Sequence, residues 1–151
     1  MDKKILFSSH RIKFRLSNQQ QLRSWIESIA KKEGAALEQL SFVFCSDNYL
    51  LRINRDFLNH DYFTDIITFD LGSKKRLSGE IYISIDRVRE NAETFQVPFN
   101  EELHRVIIHG VLHLLGYGDK SPQQKRRMTN KENWCLSLRH VPRGTAGASK
   151  K

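Results

Sequence analysis

Two cysteines, three prolines and no long apolar run are what this chain of 151 residues is poorest in, and each shortage rules something out. No stretch approaches the twenty or so apolar residues of a membrane span, so a membrane-spanning protein is excluded from the reading. The opening Met1-Asp2-Lys3-Lys4-Ile5 lacks the apolar core of a secretory signal, which makes the cytoplasm the expected compartment. Cys45 and Cys135 lie far apart with no CxxC partner, and Cys45 ends the apolar run Ser41-Phe42-Val43-Phe44-Cys45, where a buried thiol is expected. There is neither an internal repeat nor a Pro/Gly-rich linker, so one domain is expected. Apolar residues at 39% and charged residues at 28% are enough for a soluble, cored domain of this length.

Acid is scarce in one place only. Residues 1–119 hold 16 Lys+Arg and 16 Asp+Glu, whereas residues 120–151 hold nine Lys+Arg and the single acid Glu132. The whole net charge of +8 therefore sits in the last fifth of the chain. A localised basic face suits a polyanion, because phosphate contacts gain affinity by counterion release. A solvated helix face with a solubilising tail is the alternative.

Hydrophobic periodicity predicts a strand over 4–14 and a helix over 19–32, with Leu22, Trp25, Ile26 and Ile29 on one face and Gly34 as the stop. A strand follows at 40–45, then a helix capped by Asp47 and bearing Leu50, Leu51, Ile53 and Phe57. Strands at 66–71 and 80–85 read as a hairpin around Gly72, Lys74, Lys75, Arg76 and Gly79. Asp86 is the candidate cap of a helix ending at Phe95. Asn100 is the candidate cap of the next, which carries Glu101 and Glu102 at its positive end and stops at Gly116. A last helix is expected over 121–138, followed by a basic, coreless tail from Arg139 to Lys151 that is expected to be disordered. Four strands and five partly segregated helices make an α+β domain over residues 1–138. Phe42, Phe44, Phe69, Trp25 and Trp134 are expected in the core, and Asp65 as the brace of a turn.

The segment Val106-Ile107-Ile108-His109-Gly110-Val111-Leu112-His113-Leu114-Leu115 carries the chemistry. It is apolar nearly all round, so the helix should be buried. Its two histidines, four residues apart, are separated by about 40° around the axis and roughly 6 Å along it. Buried imidazoles need partners, and one divalent metal satisfies both. The break at Gly116-Tyr117-Gly118 lets the chain return Asp119 to the same face. Three protein ligands with an open fourth position describe a catalytic rather than a structural zinc site. The competing reading is two hydrogen-bonded core histidines, with Asp119 capping the following helix. Gly110 stands where an HExxH metalloprotease has its general-base glutamate, which counts against peptide hydrolysis.

His109-Gly110-Val111-Leu112-His113-Leu114-Leu115-Gly116-Tyr117 resembles the signature of the YbeY family, metal-dependent endoribonucleases and rRNA maturation factors. Asn54-Arg55-Asp56-Phe57, Asp61-Tyr62-Phe63-Thr64-Asp65-Ile66-Ile67-Thr68-Phe69 and Gly79-Glu80-Ile81-Tyr82-Ile83-Ser84 resemble it in the same order, so the likeness spans about residues 40 to 135. The resemblance implies a zincin-like α+β fold, a zinc-like ion, and action on single-stranded RNA in small-subunit rRNA 3′-end maturation and ribosome quality control. Ribosome small-subunit components are the implied partners, and a monomer is expected. Two departures stand out. Asp119 replaces the third histidine usual in the family; a carboxylate still suits zinc but widens the range of ions and makes the bound water less acidic. Leu58 stands where the family often has arginine, which passes any phosphate-steadying role to His60, Arg55 or Arg52, with Asn59 a weaker candidate.

The mechanism expected from these residues has the metal hold a phosphate oxygen and lower the pKa of a water, which attacks phosphorus or assists the 2′-hydroxyl. Lys120, Lys125, Arg126 and Arg127 would neutralise flanking phosphates. No residue stands out as general base. A non-catalytic ribosome assembly factor with a structural metal, and a metallopeptidase-like hydrolase, are the competing functions. His10, His104 and His140 have no partner in sequence.

Overall fold

The computed structural model describes residues 3–73 and 75–140. Four strands, β1 (Ile5–Ser9), β2 (Ala36–Cys45), β3 (Ile66–Asp70) and β4 (Arg76–Ser84), form one sheet in the order β1-β2-β4-β3. β1 and β4 both run parallel to β2, while β3 pairs antiparallel with β4, Ile66 opposite Ile83 and Asp70 opposite Gly79. The expected hairpin is therefore present, with Arg76 and Gly79 inside the returning strand. Lys74 lies outside the described residues. β1 is shorter than the 4–14 reading because Arg11 takes a left-handed φ of 57° and Ser9 Oγ turns back onto the Phe14 carbonyl.

Helices α1 (Gln19–Lys32), α2 (Asp47–Leu58), α3 (Ile85–Phe95), α4 (Phe99–Leu114) and α5 (Pro122–Ser137) complete an α+β domain. The alternation of the strands divides the sheet's two faces. Phe42, Phe44, Ile81 and Ile83 join Trp25, Ile26, Ile107, Val111 and Met128 in the main core under α1, α4 and α5. Cys45, Leu50, Ile53 and Ile67 form a smaller cluster under α2 on the other face. Burial pushes the thiols of both Cys45 and Cys135 up to about 12, as inert core sulfurs should be.

Three expected caps move by one or two residues. Ser46, not Asp47, caps α2 by accepting from Tyr49 N–H at 3.1 Å, and Ser84, not Asp86, caps α3 by accepting from Arg87 N–H at 3.1 Å. The displaced carboxylates tie the two helix starts together: Asp86 accepts from Asp47 N–H at 2.9 Å, and Asp47 pairs with Arg87 at 2.7 Å. α4 begins straight after Pro98, so Asn100 sits inside its first turn with Glu101 and Glu102. Ser121 and Gln124 form a reciprocal capping box on α5.

Two further expectations need correction. Trp134 is 36% exposed rather than core, its ring covered by the Lys131 ammonium at 4.3 Å. Arg139, assigned to the tail, is buried. Its guanidinium donates to His104 Nδ1 at 2.8 Å and to Glu101 at 3.0 Å, which fastens the end of α5 to the start of α4. The remainder of the expected disordered tail, residues 141–151, lies outside the described residues.

Candidate metal centre

Gly110 decides how close α4 comes to the sheet. A Cβ there would stand 2.8 Å from Ile66 Cδ1 and 3.0 Å from Ile81 Cγ2, so glycine lets the helix settle onto β3 and β4 with both isoleucines in place. A larger residue at this position would require the Ile66 and Ile81 side chains to shift. The flanking His109 and His113 then emerge at the edge of the core, their rings 4.5 Å apart and nearly perpendicular at 87°.

Past Leu114 the chain reverses through Gly116, whose φ of 105° suits glycine alone. Two anchors fix the return. Tyr117 donates its hydroxyl to Glu33 at 2.7 Å, and the Gln124 side chain accepts from the N–H groups of Lys120 and Ser121 at 3.0 and 3.3 Å. Asp119 is held between them, facing both histidines. Its Oδ2 lies 3.4 Å from His109 Nε2 and 3.2 Å from His113 Nε2.

Those distances bear on what the cluster can hold. Charge-assisted hydrogen bonds between imidazole and carboxylate settle at about 2.7–2.9 Å. Two ligands about 2.0–2.1 Å from a shared tetrahedral zinc are separated by about 3.3–3.4 Å along the tetrahedron's edge. The 3.4 Å separation from His109 Nε2 matches the second case, and the 3.2 Å separation from His113 Nε2 suits a hydrogen bond and a shared ion alike. One ligand atom from each residue lies within 4.8 Å of the others, and all three side chains are partly exposed. The donor set therefore fits a divalent ion with an open position.

Behind the three candidate donors stands Glu132, in sequence only the lone acid of a basic segment. Its Oε2 is 2.5 Å from His109 Nδ1, while Oε1 accepts from Arg105 at 2.7 Å. This fixes the ring with Nδ1–H toward the carboxylate and leaves the Nε2 lone pair facing Asp119. Burial by itself would lower the His109 pKa. The hydrogen bond and charge of Glu132, with the charges of Asp119 and Asp65, carry it above the ordinary imidazole value instead. The signal that could have found Glu132 was its isolation: one acid buried in a helix whose exposed positions are basic or neutral.

Two more carboxyls lie close by. Asp65, expected to brace a turn, instead ties the start of β3 to its neighbours: its carboxylate accepts from the Asn91 amide of α3 at 3.2 Å, and its carbonyl accepts from Ser84 N–H. Burial raises its pKa, with the His109 charge opposing. Burial, and next the charge of Asp65, push Glu102 up to about 7.

The basic candidates divide. Lys120 is exposed beside Asp119, and Lys125, seven residues before Glu132, points to the same side of α5 about two turns away. Arg126 is exposed on the same helix, whereas Arg127 leans over the Tyr117 ring at 5.6 Å. Arg52 is exposed on α2, the helix that covers the opposite face of the sheet. Arg55 pairs with Asp61 at 3.9 Å, Asn59 is the left-handed C-cap of α2, and Leu58 is exposed. His60 stacks on Tyr62. His10 stacks on Tyr49, and His140 is exposed. Arg76 pairs with Glu38 at 3.2 Å.

An α+β domain that brings two histidines and an aspartate together, braced from behind by a carboxylate, has the donor set that small metal-dependent hydrolases use. Its sequence makes the class specific. The profile of the family described as endoribonuclease YbeY matches residues 4–139, and the chain belongs to that family. The endoribonuclease YbeY of Cytophaga hutchinsonii is 48% identical over 89% of this chain and 95% of its own length. That of Flavobacterium psychrophilum is 47% identical over 88% and 95%. The solution structure of a Thermotoga maritima protein superposes with a TM-score of 0.62 at 28% identity, covering 88% of this chain and 87% of that one.

Proposed function

We propose that this chain is a metal-dependent endoribonuclease that cuts single-stranded RNA in small-subunit rRNA maturation and ribosome quality control. It acts in the cytoplasm as a monomer, with one zinc ion held by His109, His113 and Asp119. The observation that carries the reading is the convergence of both Nε2 atoms on one Asp119 oxygen at ligand-edge distances, in a chain of the endoribonuclease YbeY family.

The residues divide the work. Glu132 keeps His109 in the tautomer that offers Nε2. The Tyr117 and Gln124 anchors hold Asp119 against the histidine pair, so little reorganisation is needed on binding. An ion bound there supplies a Lewis acid for a phosphate oxygen and lowers the pKa of water. Lys120 and Lys125, on the same side of the molecule, oppose the charge of phosphates flanking the cut. Gly110 disfavours a metallopeptidase, because the glutamate base that an HExxH enzyme carries at this position is absent.

Metal analysis of the purified protein, paired with cleavage of a single-stranded RNA before and after chelation, tests the proposal. About one equivalent of zinc and chelator-sensitive cleavage are expected. Asp119→Ala should lose both while keeping its fold, and Asp119→His should keep the metal. A folded protein that carries no metal and takes up none would overturn the reading. Bound metal with no cleavage by the wild type would favour the assembly-factor alternative.

A further inference from the structure

On the basis of that reading, we propose that the Tyr62 ring, backed by His60, is a stacking platform for one unpaired base of the RNA beside the scissile phosphate.

The turn that leaves α2 is unusually well held for an exposed segment. Asn54, buried on α2, donates its amide to the Tyr62 carbonyl at 2.9 Å and accepts from His60 N–H through its own carbonyl at 3.0 Å. One core residue thus clamps both ends of the His60-Asp61-Tyr62 turn, and Asn59 begins it in the left-handed conformation at φ 59°. On this fixed backbone the His60 and Tyr62 rings stack, with centroids 5.3 Å apart and planes 19° apart, and the Tyr62 hydroxyl lies 3.1 Å from His60 Nδ1. Offset stacking of this kind orients a ring without burying it. Tyr62 stays 56% exposed, so stacking on His60 leaves more than half of the residue open to solvent.

Its position explains what the face could receive. Three residues further on, a span of at most about 10 Å, lies Asp65, within electrostatic range of His109 and Glu132. The next residue, Ile66, packs where α4 bears Gly110, beside His109. The segment that carries the platform therefore leads, within three or four residues, to side chains that neighbour the candidate metal centre. Asn59, Asp61 and Thr64 are the platform's polar neighbours and Arg55 with Asp61 forms an exposed ion pair, while Leu58 and Phe63 are exposed apolar side chains on the same segment. An oriented, exposed ring on a clamped turn suits the flat face of one base, and the apolar side chains of Leu58 and Phe63 beside it can border that base without competing for its hydrogen bonds. Stacking is tolerant of sequence because every base has a π-face, which fits an enzyme of single strands.

The test uses the metal-loaded protein, a single-stranded RNA oligonucleotide with one mapped cut, and copies of it in which one nucleotide at a time near the cut is abasic. With wild type, one abasic position should lower kcat/KM by about 10-fold, the order that one stacked base contributes. Tyr62→Leu should lose about 10-fold on the intact RNA and show no further loss at that abasic position. Tyr62→Phe should restore most of the activity. Metal content and melting temperature of Tyr62→Leu should equal those of wild type, which separates the platform from folding or metal loading. Unchanged cleavage by Tyr62→Leu, or an abasic penalty that persists in the variant, overturns the platform while leaving the endoribonuclease reading intact. A wild type that neither cuts nor binds the RNA overturns the functional reading, and the platform with it.

Discussion

At the scale of single residues, Glu132 does the most that spacing does not reveal. It is buried, it accepts from Arg105, and it holds the His109 ring by the nitrogen that faces away from Asp119. Replacing it with glutamine keeps the shape but removes the charge that favours an Nδ1–H donor. Such supporting groups typically contribute 10- to 100-fold to metal affinity, so Glu132→Gln should weaken zinc binding by about 10-fold in a chelator competition. An affinity equal to wild type would mean that His109 is oriented by helix packing alone. The histidine pair was legible in the sequence because two polar residues interrupt an apolar helix at one helical turn. Asp119 was legible because glycines bracket its return. Glu132 was not, because its contact with His109 joins residues 23 apart on different helices, and no local pattern encodes which face of α5 meets α4.

Elements were more readable in kind than in their ends. Leu22, Trp25, Ile26 and Ile29 announce α1, and all four are buried. The caps of α2 and α3 were misassigned because Ser46 and Ser84 stand one or two residues ahead of aspartates, and both residue types cap well. Long-range pairing decided between them: the carboxylates serve an inter-helix network, leaving the hydroxyls to the helix ends. The junction of α4 and α5 depends on a pairing of the same long-range kind. Arg139 can only donate, so His104 must accept at Nδ1 and stay neutral. Burial, and then the Arg139 charge, lower the His104 pKa from 6.5 to about 3. The sign follows from linkage: the unfolded chain binds this proton more readily than the folded one. The neutral ring's contribution is fully present above pH 6.5 and is lost progressively as pH falls toward 3. His104→Gln retains an acceptor but does not titrate, so it should flatten the fall in melting temperature across that window. If wild type and variant lose stability in parallel over that range, the acid sensitivity comes from elsewhere.

For the whole molecule, the division of charge is the feature most easily read from sequence and most changed by the fold. A +8 excess confined to residues 120–151 suggests one basic surface, yet the structure distributes its members. Lys131 neutralises Glu33 at 2.8 Å, Arg139 is buried against His104 and Glu101, and Arg127 leans on Tyr117. Of the basic residues on α5, Lys125 shares the side of the helix that carries Glu132 toward the metal centre. Position around the helix, rather than total charge, should therefore decide which cations meet RNA. Each phosphate contact to a single strand steepens the dependence of log K on log salt by about 0.7. Lys125→Gln should lower the slope by about that amount and weaken RNA binding most at low salt, whereas Arg127→Gln should change the slope little. Anisotropy titrations of one single-stranded RNA at four or five salt concentrations measure both. Equal slopes for the two variants would mean that the basic segment acts as a diffuse field and that the orientation of α5 does not select its contacts.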